Sequence, residues 1–300
     1  MTRKISLEYA LALLLVISAC QVSKVESTSA EYLNEIRQWH HQRIERLKAP
    51  DGWLSLVGLY WIRQGEQTFG SANDRDIRFP INAPANIGTI ALAGDSVMMQ
   101  VVDDLPVTID NEIVSNQLIY KTGIEAPLLG LDDLTWHIMK RGDRYALRLK
   151  DQSSPLIAAM DSIPRYPISS EWKIRAKFSP ADSADTILLD DVQGMKRPYQ
   201  PAGSLRFQVD SKSYEVTVLN SGEERYFLIF GDETNGVETY GGGRYLYPNM
   251  ADKDGMTYID FNKAFNPPCA FTDFATCLLP PPQNKIPVLV EAGEMNYGDH

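Results

Sequence analysis

Histidine and cysteine are scarce in this chain, with four and three residues among 300. His40, His41, His137 and His300 show no ligand spacing among themselves or with the cysteines, which argues against a zinc centre. So few histidines also leave little choice for a nucleophile–base pair. The local signatures of common enzymes are missing: there is no G-x-S-x-G elbow, no G-x-x-x-x-G-K-[ST] loop, no H-E-x-x-H and no G-x-G-x-x-G after a strand. No metal and no cofactor are expected. Positive charge is in deficit too, with a net charge of -10. That excludes the broad basic face needed for non-specific binding to nucleic acid or to anionic membranes, although a local basic pocket stays open. Internal repeats and low-complexity tracts are also absent. With 44% hydrophobic and 23% charged residues, what remains is ordinary globular composition, enough for one large or two modest domains.

The first residues form no part of that globule. Arg3 and Lys4 precede an apolar run over 9–17, which is the length of a signal peptide and too short to span a bilayer. Ile17, Ser18, Ala19 and Cys20 then resemble a bacterial lipobox, with a plain secretory signal as the alternative. The resemblance implies cleavage of residues 1–19 and acylation of Cys20, and each buried methylene then contributes about 0.8 kcal/mol to membrane anchoring. Gln21 rather than Asp after the cysteine points to the outer membrane facing the periplasm. The lipid bilayer is therefore an expected partner, and residues 20–30 are a small, polar tether. In an exported protein Cys269 and Cys277 remain for a disulfide stabilising by about 2–3 kcal/mol, with two buried thiols or a metal site as alternatives.

Residues 31–48 read as a helix, with Leu33, Ile36, His40, Ile44 and Leu47 on one stripe. From Trp53 onward the texture is short strands separated by Gly, Pro, Asn and Asp, which predicts a β-sandwich or barrel. Arg141-Gly-Asp-Arg144 between two apolar segments predicts a hairpin, and 287–291 reads as a last strand. Gly123, Pro127 and Gly130 interrupt the pattern. The chain therefore divides into an N-terminal helix plus sandwich-like part over 31–125 and a second β-rich sandwich or barrel over 126–300. The fold class is mainly β.

Residues 240–294 hold the densest collection of special side chains. Gly241, Gly242 and Gly243 can bring backbone N–H groups close to a ligand, and Arg244 beside them is suited to a carboxylate or phosphate. Asp260 and Asn262 share one side of a strand, and Asn266 precedes a rigid Pro-Pro exit. Asp260, with Glu291 or Glu294, supplies candidate acid and base. Gly242, Arg244, Asn262 and Asn266 are candidate ligand contacts for a small polar or anionic molecule. Arg148 and Asp151 form a second candidate pair. Three functions follow: a ligand-binding or accessory module of the cell envelope, a carboxylate-dependent hydrolase, or a structural lipoprotein.

Several segments together resemble the DUF1684 family of uncharacterised bacterial and archaeal proteins. They are Gly52-Trp-Leu-Ser-Leu-Val-Gly-Leu-Tyr-Trp61, Phe69-Gly-Ser71, Tyr240-Gly-Gly-Gly-Arg244, Asp260-Phe-Asn262, Asn266-Pro-Pro-Cys-Ala-Phe271, Thr276-Cys277 and Asn284. The likeness spans roughly 35–295 and implies no chemistry. Leu278 stands where the family usually has proline after the cysteine. A fainter resemblance, at Phe69-Gly-Ser71 and Asp76-Ile-Arg-Phe-Pro80, is to the forkhead-associated (FHA) sandwich. Ser71 and Asn111-Glu112 depart from its phosphothreonine-reading pattern, so the likeness implies a sandwich without that function.

Overall fold

The computed structural model describes residues 28–182 and 184–298. The signal segment, Cys20 and most of the tether lie outside the described residues. The helix runs Ala30–Lys48, with the Ser29 hydroxyl accepting from the Tyr32 amide at its start and Arg46 and Lys48 in its last turn, where they complement the helix dipole. Its buried positions are Ile36, Arg43 and Leu47. The predicted stripe is present, but it includes an arginine.

The first β part is a sandwich. One sheet places its strands in the order Leu56–Ile62, Arg144–Asp151, Leu134–Arg141, Leu129–Leu131, Thr108–Ile109 and Glu112–Ile113. The other is Ile77–Arg78, Gly65–Gly70, Gly88–Ala93, Ser96–Val101 and Asn116–Lys121. Alternating side chains from both close over one core, in which Phe69, Phe79 and Trp136 meet edge to face. The hairpin around Gly142 forms as predicted, and Gly142 takes the left-handed φ of +56° that the turn requires.

That hairpin corrects the expected division. Arg144–Asp151 pairs with Leu56–Ile62, so residues 129–151 complete the first sandwich and the change of sheet falls after Asp151 rather than near 125. Gly123, Pro127 and Gly130 interrupt the strands inside the first part and mark no boundary. The reason is register: Trp136, Ile138, Leu147 and Leu149 all point into the first core.

The second part is a sheet in the order Arg244–Leu246, Arg225–Asp232, Lys212–Ser221, Pro201–Val209, Lys173–Pro180 and Met256–Asp260. Lys285–Ile286 adds to Arg225–Asp232 in parallel, and among the described residues after Asp260 these two form the one strand. The strand expected over 287–291 does not form, because Pro287 has no amide hydrogen to continue the ladder. The two parts share apolar clusters: Leu56 packs with Leu189, Leu219, Ile229 and Tyr245 of the second part.

Candidate functional site

The glycines at 241–243 and the prolines at 280–282 face each other across a cleft of about 640 Å³. Gly243 sits at φ +83°, and a Cβ there would come within 2.4 Å of Pro280 Cγ and 2.6 Å of the Phe230 carbonyl. Only glycine fits. A Cβ at Gly242 would meet the Tyr240 ring at 2.5 Å, whereas one at Gly241 meets nothing nearer than the Gly236 backbone at 3.7 Å. Tyr240 is itself half-buried, and desolvation pushes its phenol up to about 12. The amides of Gly241 and Gly242 have no acceptor among the described residues. Leu188, Leu279, Ile286 and Pro287 make the walls apolar, and Asp190, Glu233 and Lys285 bring charge to the rim. None of those seven residues stood out as a candidate site residue in the sequence. The usable signal was the pair of unusual runs, permissive Gly-Gly-Gly and rigid Pro-Pro-Pro, which frame the cleft.

Arg244 lies beneath this cleft and does not face it. Its guanidinium is fully buried, donates to Asp232 Oδ2 at 2.8 Å and to the Val290 carbonyl at 2.9 Å, and also reaches the carbonyls of Ala292 and Glu294. Asp232 is equally committed: its Oδ1 accepts from the Thr234 hydroxyl at 2.6 Å and from the Thr234 and Val290 amides. The expected role of Arg244 in holding a ligand is therefore corrected. The side chain clamps the C-terminal segment, because a buried guanidinium needs every donor it can place.

The acid and amide candidates meet the N-terminal helix instead of a cavity. Asp260 Oδ1 accepts from the Tyr32 hydroxyl at 2.6 Å and from the Asn262 amide at 3.2 Å. Asn262 Nδ2 donates to the Tyr32 hydroxyl and the Ser169 carbonyl, and its Oδ1 accepts from the Ser169 amide at 3.0 Å. Burial and the neighbouring Asp260 carboxylate push the Tyr32 phenol well up. Lys263 bonds Glu35 of the helix at 2.5 Å. Asp260 thus docks a helix, and the role of catalytic base is corrected for it.

Glu294 is likewise enclosed. Its Oε2 accepts from the Asn266 amide at 2.7 Å, and its Oε1 lies 3.4 Å from Arg43 Nε. Asn266 Nδ2 donates to the Met295 carbonyl, and Arg43 donates to the Asn266 carbonyl at 2.9 Å. The Arg43 guanidinium rests 4.6 Å over the Phe265 ring. Burial raises the Glu294 carboxyl, and Arg43 opposes that shift. With no cavity beside it, Glu294 is a buttress rather than a general acid. Glu291 is separate from both Asp260 and Glu294: it is exposed on a neighbouring groove.

Arg148 and Asp151 are not a pair, since a three-residue step along a strand sends them to opposite faces. Asp151 is buried and accepts from Ser153 and from Asn82 Nδ2 at 2.9 Å. Arg148 lies opposite His137 on the outer sheet face, its carbon 5.6 Å from the Trp53 ring centre. Desolvation, and then Arg141, bring Arg148 down to about 10. Desolvation followed by the charges of Arg148, Lys150 and Arg141 brings His137 down to about 4.

Cys269 and Cys277 are adjacent as free thiols, and the expected disulfide is not formed. The Cys269 amide donates to Cys277 Sγ at 3.1 Å, and only Cys277 is fully buried. The contact with Cys277 lowers the Cys269 thiol, and the contact with Cys269, followed by burial, raises the Cys277 thiol. No group of three or more metal-ligating side chains occurs among the described residues.

No curated protein matches the chain. Among solved structures it is similar to an uncharacterized protein of Haloarcula marismortui determined by solution NMR. The two are 26% identical over 48% of this chain and 80% of that one, at a TM-score of 0.39. A structure from a study of phosphothreonine-dependent FHA domain interactions is 13% identical, covers 31% of this chain and 92% of its own, and gives a TM-score of 0.22. A second FHA structure is 14% identical over 31% and 95%, at 0.21. The fold described above rests on the chain's own strand pairing and not on these likenesses. By sequence, residues 158–295 match the family described as "Protein of unknown function (DUF1684)", so it is the second part, with its clamp, its helix-docking side chains and the glycine–proline cleft, that places the chain beside that family.

Proposed function

We propose that this chain is a small-ligand-binding module of the cell envelope, held at the outer membrane through acylated Cys20 and facing the periplasm. The observation that supports binding is the cleft between the glycines at 241–243 and the prolines at 280–282. Its volume of about 640 Å³ suits a small molecule. Its walls are stiff: Gly243 is wedged against Pro280, and three prolines restrict the facing backbone. Stiff walls reduce the ordering cost of association. The unbonded amides of Gly241 and Gly242, together with Lys285, suit an acceptor or anionic group on the ligand, while Leu279 and the prolines suit an apolar body. The hydrolase reading loses ground because Asp260 and Glu294 are engaged with Tyr32, Asn262, Arg43 and Asn266, and Glu291 stands apart from them.

The test uses the one open position on the glycine wall. A Cβ at Gly241 meets no close contact, and Gly241→Leu adds an apolar side chain to a residue that lines the cleft. A fragment library is screened against the purified chain by ligand-observed NMR, with the variant as control. Hits that bind the natural chain and are lost in Gly241→Leu, at unchanged thermal stability, support the reading. Hits that bind both chains equally, or a library with no hits, refute it.

A further inference from the structure

A second groove lies beside the cleft and has a different chemical character. It is enclosed by residues 171–174, 208–214 and 287–291, and its volume is about 880 Å³. Glu233 and Pro287 line both cavities, so the two are neighbours with a shared wall.

Two rings line the groove, and each is set by the core behind it. Trp172 meets buried Phe261 edge to face at 6.0 Å and 86°. Tyr214 lies across the strand pair from buried Phe207, with centroids 5.9 Å apart. Rings fixed this way lose little freedom when something settles on them. Four carboxylates line the same space, those of Glu171, Asp210, Glu233 and Glu291, against the single cation Lys212, a local excess of three negative charges. None of the four has a hydrogen-bond or ion-pair partner among the described residues. By contrast, the neighbouring basic side chain Lys173 is turned to the rings of Tyr32 and Tyr258. Leu289, 56% exposed, adds an apolar contact beside Val288 and Pro287.

We infer that this groove binds an organic cation, an alkyl- or quaternary ammonium group drawn to its aromatic lining, Trp172 foremost, with its aliphatic part along Pro287, Val288 and Leu289. Aromatic faces attract ammonium groups through their quadrupole, and the unpaired carboxylates supply the countercharge without being deeply desolvated. A neutral sugar would also use the rings but gains nothing from the charge excess, so charge separates the two. The inference shares Glu233 and Pro287 with the glycine–proline cleft but does not rest on ligand binding there.

The test titrates the full chain with tetramethylammonium, with spermidine and with glucose, followed by calorimetry and by chemical-shift changes of the Trp172 indole. Saturable binding of both cations that weakens as salt rises, with glucose at least tenfold weaker, is the expected result. The double variant Glu171→Gln, Glu291→Gln alters only exposed side chains and is expected to weaken spermidine tenfold or more. Trp172→Ala is expected to abolish tetramethylammonium binding. Gly241→Leu is expected to change neither, which separates this groove from the cleft. Absence of saturable cation binding, equal affinity for glucose, or an unchanged affinity in the folded double variant overturns the inference.

Discussion

Arg244 and Asp232 show what a buried ion pair does when both terminal nitrogens of the guanidinium also hold backbone carbonyls. The pair is fully buried, and the guanidinium holds backbone carbonyls of the C-terminal segment. Removing one partner leaves the other charge uncompensated, which costs about 3–5 kcal/mol. Arg244→Ala is therefore expected to lower unfolding free energy by about 3–5 kcal/mol, read from urea denaturation, and a loss below about 1 kcal/mol would contradict the clamp. His137 makes a pH prediction at the same scale. Its folded pKa, about 4, lies below the ordinary histidine value near 6.5. In that window the unfolded chain binds the extra proton, so the contribution of His137 is present above about 6.5 and is lost as pH falls toward 4. His137→Gln should flatten the fall in denaturation midpoint over that range. Identical slopes for the two chains would refute the assignment.

Elements were legible in the sequence where one period governed them. The helix over 31–48, the hairpin at Gly142 and the mainly β character all follow from spacing and turn chemistry. The boundary between parts was not legible, because strand partners are chosen by tertiary register: Arg144–Asp151 finds Leu56–Ile62 across some 85 residues of chain. The roles of Asp260, Asn262, Asn266 and Glu294 were hidden for the same reason. Their partners Tyr32 and Arg43 lie on a distant helix, and Arg43 stands among apolar residues as a buried charge that periodicity reads as an irregularity. The glycine wall was legible, and its members are unequal. Gly243→Ala meets both a left-handed backbone and the Pro280 ring, and is expected to cost about 1–3 kcal/mol. Gly241→Ala meets only ordinary van der Waals contact with the Gly236 backbone and is expected to stay within about 0.5 kcal/mol of the natural chain. Equal effects at the two positions in thermal denaturation would show that the wall is not built as described.

At the scale of the whole molecule, the two β parts and the helix are tied into one body. Leu56 of the first sandwich enters an apolar cluster of the second part, the Thr272 hydroxyl donates to the Leu56 carbonyl at 2.9 Å, and the helix is bonded to Asp260 and Glu294. No helix among the described residues is long and apolar enough to cross a membrane. The proposed attachment is through acylated Cys20. Cys20→Ala is expected to move the protein from the membrane pellet to the soluble fraction, and retention in the pellet would count against the lipobox.

The clamp at Arg244 also bears on how the folded protein comes apart. Two guanidiniums, Arg43 on the helix and Arg244 in the second sheet, both reach into residues 290–294. Loss of that short segment strips hydrogen bonds from both cations at once, leaving Arg244 with Asp232 and Arg43 with the Asn266 carbonyl. One strand of backbone thus couples the helix to the second sheet, and fraying there loosens both together.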